Sequence, residues 1–159
     1  MRNKPYVIAE ILCVLALIVF VGWLCFTRSG GTTKSIEEIS DPVFQAMEQD
    51  QMVKQTNADA YKAFGIDFST TQGTVYYANN SVMDVSELLI IKLSDENDAQ
   101  AIKTAIETRV ADQQNLYKNY APDQYALLQD CIIQTSGNTI FYCTAKNANE
   151  LYEAFKKAL

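Results

Sequence analysis

Glu87-Leu88-Leu89-Ile90-Ile91-Lys92-Leu93 (ELLIIKL, residues 87–93) decides the fold. A strand with one wet face alternates apolar and polar side chains. This run is nearly continuous in Leu and Ile, as expected of a central strand covered on much of both faces. Just before it, Thr74-Val75-Tyr76-Tyr77-Ala78 is rich in β-branched and aromatic residues and predicts a partner strand. A long helix over residues 97–120 follows, introduced by Ser94 and Asp95, with Ala99, Ile102, Ile106, Val110, Tyr117 and Tyr120 recurring on one side. Pro122 breaks it, and residues 123–128 add a further turn or two. Two more strands, residues 131–135 and 139–144, flank Ser136-Gly137-Asn138, and a last amphipathic helix over 149–159 buries Leu151 and Phe155. Ahead of the first strand, Asp41-Pro42 marks a helix start bearing Val43, Phe44 and Met47. A short helix over 58–64 is capped by Asn57 and stopped by Gly65.

Strand–strand–helix, taken twice, predicts an α+β fold: a four-stranded antiparallel sheet with helices on one face. The strands arrive in pairs, which argues against a parallel doubly wound sheet. Tyr76 or Tyr77 is expected to point to the second face, which would be a binding surface if open and ordinary core if covered; core is the expectation.

The 159 residues are 48 % hydrophobic and 20 % charged, with a formal net charge of −6 and no histidine. Without histidine there are no His-based triads, HExxH metal sites or imidazole acid–base steps. A sequence pI near 4.6 argues against nucleic acid as a partner. Residues 6–26, YVIAEILCVLALIVFVGWLCF, carry a single charge, Glu10. As a helix they would extend about 32 Å, matching a hydrocarbon layer of about 30 Å. The expectation is a transmembrane signal-anchor preceded by this architecture's cytoplasmic N-terminus: residues 1–5 inside, 6–26 in the lipid bilayer, 27–40 a Gly/Ser/Thr-rich linker, and 41–159 the extracytoplasmic domain. Arg2 and Lys4 on one flank, against Arg28, Lys34, Glu37 and Glu38 on the other, favour that orientation. A cleaved signal peptide and a lipoprotein are the competing readings; the second needs small residues just before a cysteine, and neither Cys25 after Trp23-Leu24 nor Cys13 after Ile11-Leu12 has them. Setting Arg2, Lys4 and Glu10 aside leaves 11 Lys and Arg against 18 Asp and Glu, an acidic domain that anionic headgroups repel.

Candidate chemistry is sparse. A three-residue hairpin loop, Ser136-Gly137-Asn138, sets Thr135 opposite Thr139 and therefore Cys131 opposite Cys143. A two-residue loop, Gly137-Asn138, shifts the register by one and sends the cysteines to opposite faces. The first register, with Asn138 in the left-handed region of a bulged turn, makes Cys131 and Cys143 a candidate cross-strand disulfide in an oxidising compartment. Two buried thiols are the alternative. Cys13 and Cys25 read as small apolar residues of the membrane segment. Asp84 with Glu87, or Asp95, Glu96 and Asp98, could be imagined as acid–base pairs or cation ligands. The first pair falls in a turn, and the second group lies where a helix start favours negative charge and lacks EF-hand spacing. No catalytic residue, metal ligand or cofactor is assigned. Asn79-Asn80-Ser81 matches a glycosylation sequon, and Tyr120 to Tyr125 flank the helix break.

The run from Glu107 to Phe141, together with YKAFGID (61–67) and VMDVSELLIIKL (82–93), resembles the bacterial family known as domain of unknown function 4358. Shared features are a strand ahead of an N-x-S-x-x-E-like turn, a long helix bearing E-x-R, a tyrosine-containing bend with a glutamine, and a strand–Gly–strand hairpin. The resemblance covers roughly residues 40–159 and implies an envelope-facing protein, without implying an activity; an envelope protein is the candidate partner beside the lipid bilayer. The functional expectation is a membrane-anchored, non-enzymatic binding or envelope accessory module at the cell membrane. A small histidine-independent hydrolase and a structural subunit of a membrane complex are the alternatives.

Overall fold

In the computed structural model, the described residues are Val14, Leu17, 31–47 and 52–159. The chain divides into two compact units, Met1–Gly31 and Thr32–Leu159. In the first, Val14 and Leu17 are helical and exposed. The second is built around β3 (Glu87–Lys92), in which every residue is buried.

β3 is flanked by β2 (Gly73–Ala78) and β5 (Thr139–Thr144), and outside these lie β1 (Val53–Lys54) and β4 (Ile132–Ser136). The sheet is antiparallel throughout, in the order β1-β2-β3-β5-β4, with Ile90 opposite Val75 on one side and Phe141 on the other. The expected four strands are thus five. β1 is only two exposed residues long, too short to leave an alternation in the sequence.

The helices are α1 (Ile36–Ala46), α2 (Asn57–Phe64), α3 (Ala99–Tyr117), α4 (Pro122–Gln129) and α5 (Ala148–Ala158). α1 starts earlier than Asp41-Pro42 suggests. Ser35 and Glu38 form a capping box, with Glu38 N–H donating to Ser35 Oγ at 3.2 Å and Ser35 N–H to Glu38 Oε2 at 2.7 Å. This places Pro42 inside the helix and aligns Ile36, Ile39 and Val43 on its buried side. α2 is capped by Thr56, not Asn57, again through a capping box, here with Asp59.

The helices cover both faces of the sheet, which corrects the expectation of helices on one face. Val75, Tyr77, Leu88, Ile90, Phe141 and Cys143 pack against α1 and α5 through Ile39, Val43, Leu151 and Phe155. Tyr76, Leu89, Ile91, Ile140 and Tyr142 pack against α2 and α3 through Ala60, Phe64, Ile102, Ile106 and Val110. The pleat of β3 demands this, because Leu88 and Ile90 face one way and Leu89 and Ile91 the other, and the two pairs need separate cores. Tyr76 and Tyr77 point to opposite faces and both are core. On the α1/α5 side, Lys34 Nζ donates to the Ala158 carbonyl at 2.5 Å and the buried Lys92 Nζ to the Lys34 carbonyl, tying α1's lead-in to the end of α5.

The expectation of a transmembrane helix ahead of the domain, and of a single-pass cell-membrane protein with an extracellular domain, is corrected as well. Among the described residues, no helix is long and apolar enough to cross a membrane. A span needs about 20 consecutive apolar residues, and α3, with 19 residues, carries Lys103, Glu107, Arg109 and Asp112. Residues 6–26, assigned to the bilayer from hydropathy, lie outside the described residues apart from Val14 and Leu17, as do Cys13 and Cys25.

Candidate functional site

Glu87 is the one acidic residue of β3, and the pleat turns it onto the α2/α3 side of the sheet. Its side chain is only 3 % exposed. A carboxylate removed from water must be fully hydrogen-bonded or paired, and here it is both. Tyr142 Oη donates to Glu87 Oε1 at 2.7 Å, and Tyr76 Oη donates to Oε2 at 2.9 Å. From α3, Arg109 supplies Nε to Oε1 at 3.1 Å and Nη2 to Oε2 at 2.9 Å, a forked contact. Arg109 Nη1 donates to the Ala63 carbonyl at the end of α2 at 3.0 Å, and the guanidinium lies 4.9 Å from the Phe64 ring centroid. Thr144 Oγ1 donates to Tyr142 Oη at 2.9 Å, completing the network.

The electrostatics follow from burial and the single negative charge. Burial and then the Glu87 charge push the Tyr76 and Tyr142 phenols well above the usual tyrosine range. Burial would lower the Arg109 pKa, but its hydrogen bonds to Glu87 and the carboxylate charge outweigh this and raise it.

Above this network the β2–β3 loop, residues 79–86, forms one wall of a cleft of about 260 Å³, and Arg109, Gln113 and Tyr117 of α3 form another. The loop is braced internally. Asp84 Oδ1 accepts from Ser86 N–H at 2.8 Å and Asp84 Oδ2 from Asn79 Nδ2 at 3.0 Å, while Asn79 Oδ1 accepts from Ser81 N–H at 2.8 Å. It is also fixed from outside. Tyr117 Oη donates to the Val82 carbonyl at 2.7 Å, and Gln124 Oε1 of α4 accepts from Val85 N–H at 2.9 Å. Gln113 Oε1 stands out: among the described residues it is the one buried side-chain polar atom without a hydrogen-bond partner.

Cys131 and Cys143 are not brought together. The hairpin has a two-residue loop, with Ser136 opposite Thr139 and Ile132 opposite Cys143. Gly137 takes φ +54°, the first position of a primed turn, so Asn138 is not needed in the left-handed region. Cys143 packs on the α1/α5 side and Cys131 on the α2/α3 side, and both are free thiols, which corrects the cross-strand disulfide. Burial raises both thiol pKa values, with the Glu87 charge adding to it. Asp84 and Glu87 both border the cleft, but each carboxylate is already engaged. Asp95 Oδ1 accepts from Asn97 N–H at 2.9 Å, so that acidic group serves a turn ahead of α3. Asn79 of the sequon uses its amide to brace the loop, and the Tyr120 ring lies against that of Tyr117, tilted by 32° with 5.3 Å between ring centroids.

Sequence reasoning missed Tyr76, Arg109, Gln113 and Tyr142 as site residues. A signal existed. Arg109 and Gln113 interrupt the buried stripe Ile102-Ile106-Val110-Tyr117 on its inner side, and a buried cation on α3 asks for the one carboxylate on β3.

No curated protein and no solved structure matches the chain. The family model described as domain of unknown function (DUF4358) matches residues 45–145, a stretch that contains the sheet, α2 to α4 and every residue of the cleft, and the chain belongs to that family.

Proposed function

We propose that the folded unit is a non-enzymatic binding module whose small-molecule ligand sits in the cleft between the 79–86 loop and α3. The observation that carries this reading is the state of the titratable groups. General acid–base catalysis wants a group whose pKa lies near the working pH. Here the tyrosines and the arginine are moved further from neutrality, and the Glu87 oxygens are shared among three donors. Such a network holds shape and presents polar walls; it does not pass protons. A loop braced at both ends is also suited to holding a preformed cleft, which lowers the ordering cost of binding.

The test compares the full chain with its Ser81→Trp variant, in which an indole on the exposed wall fills the cleft. A fractionated small-molecule cell extract is expected to raise the melting temperature of the wild type, as any ligand that favours the folded state must. It should leave the variant unmoved. Turnover of ester, phosphomonoester or glycoside substrates that is lost in both Ser81→Trp and Glu87→Gln would overturn the reading in favour of a hydrolase.

A further inference from the structure

We infer that the tip of the 79–86 loop and the end of α3 form a docking surface for a basic amphipathic helix of another protein. The surface borders the cleft but does not depend on the ligand reading above.

The exposed carbon of the folded unit is gathered at one end. Among its described residues, six large apolar side chains are exposed, and four of them, Val82, Met83, Leu116 and Tyr120, lie here; Val53 and Tyr61 are the others. The four are linked. The Tyr120 ring lies against that of Tyr117, whose hydroxyl donates to the Val82 carbonyl. Met83 follows Val82, and Leu116 stands three residues on from Gln113, beside the face of α3 that lines the cleft. Val82 is 88 % exposed, yet its backbone is fixed. Besides the bond from Tyr117, Asp84 N–H donates to the Ser81 carbonyl at 3.1 Å and Met83 N–H to Ser81 Oγ at 3.3 Å. Folding thus orders the tip while leaving its side chains in water, which adds nothing to the core and lowers the cost of binding. Scattered apolar residues are ordinary on a surface, whereas a cluster on a braced tip marks an interaction site.

Size and shape narrow the occupant. A stable interface between two globular proteins takes about 800 Å² from each. Four side chains fall short of that, so a short segment docks here and not a second folded domain. An extended segment adds to a sheet edge, but this surface is built from a loop and a helix end. It suits the apolar stripe of a helix, with anchors at i, i+3, i+4 and i+7.

Charge selects among partners. Within residues 79–86 and 112–124 the charged side chains are Asp84, Asp112, Asp123 and one cation, Lys118. Asp112 stands four residues before Leu116 and Asp123 three after Tyr120, and both are exposed. The carbonyl end of α3 adds a partial negative charge, and the nearby Arg109 is taken up by Glu87. A second copy would bring the same three carboxylates to the contact, and an anionic bilayer would add to them. Lys and Arg flanking an apolar stripe complement them.

The experiment is fluorescence anisotropy on the full chain with a labelled Leu/Lys peptide whose leucines fall at i, i+3, i+4 and i+7. A peptide of the same composition in scrambled order, and one with Glu in place of Lys, are the comparisons. The patterned Lys peptide is expected to bind about tenfold more tightly than either. Val82→Ser/Leu116→Gln should weaken it about tenfold through the loss of two anchors, with the melting temperature unchanged because both side chains stand in water. Asp112→Asn should weaken it less and reduce its dependence on salt. Absent binding, equal binding of the patterned and scrambled peptides, or equal binding to the wild type and the double variant would overturn the inference. So would binding to phosphatidylcholine or phosphatidylserine vesicles, or a dimer in sedimentation equilibrium, that the double variant loses. The first of these assigns the surface to a bilayer, the second to another copy of the chain.

Discussion

Replacing Arg109 by alanine tests whether the Glu87 network is held together by its one cation. The substitution removes the forked contact to Glu87, the bond to the Ala63 carbonyl and the guanidinium beside Phe64, and it leaves a carboxylate that is 3 % exposed with two tyrosine donors only. Breaking a buried ion pair from one side costs about 3–5 kcal/mol. The Arg109 side chain is itself 23 % exposed, so solvent screens part of the attraction and the lower end, about 3 kcal/mol, is expected. Glu87→Gln should cost less, because the freed guanidinium can turn toward the water it already touches, whereas a stranded carboxylate cannot. The double variant should be more stable than the sum of the two losses predicts, with a coupling of about 2 kcal/mol. Urea unfolding of the four proteins, read by far-UV circular dichroism, gives the cycle directly. A loss below 1 kcal/mol for Arg109→Ala, on the order of an exposed pair, or strict additivity, would refute the reasoning.

Other consequences are equally accessible. Gly73 lies so close to α1 that an added Cβ would sit 2.6 Å from Ile36 Cγ2. Gly73→Ala should therefore lose about 1–3 kcal/mol by overpacking, read in urea midpoints, and Ile36→Val should give no relief, because it removes only Cδ1 and keeps the Cβ and Cγ carbons that the new methyl meets. Cys143 is wholly buried, with its thiol pushed up to about 12 by burial. Alkylation of the native protein should spare it, modify Cys131 slowly, and take both only after denaturation, with an intact mass indifferent to reductant. Tyr76 and Tyr142 hold their protons more tightly folded than unfolded. Their contribution to stability should then be constant below the unfolded tyrosine pKa of about 10 and fall as pH rises above it. Phenolate absorbance should show two residues titrating only with unfolding, and Tyr76→Phe should flatten the decline in urea midpoints.

Much of the fold was legible because it rests on local rules. The apolar run at 87–93, the stripe of α3 and the Gly137-Asn138 punctuation place three strands and the main helix within a few residues of where they lie. The same run should also have excluded a one-faced sheet, since Leu88 and Leu89 cannot share one core. Two starts were misread for a common reason: Asp41-Pro42 and Asn57 are good caps in isolation, but Ser35 with Glu38 and Thr56 with Asp59 satisfy two backbone groups each. The hairpin register turned on one residue of loop length, which side-chain patterning does not fix when both faces are apolar. The site was less legible still. Glu87 and Arg109 stand 22 positions apart, and their pairing exists only once β3 and α3 pack.

The order of strands across the sheet has a price paid during synthesis. β3 is completed early, yet one of its two neighbours is β5, which follows some fifty residues later. While α3 and α4 emerge from the ribosome, a Leu- and Ile-rich strand waits with one edge of amides unanswered, the condition in which nascent chains join each other. The short turn at Gly137 makes the β4–β5 pairing local in sequence, and β5 is the strand that both covers that edge of β3 and carries Tyr142 to Glu87.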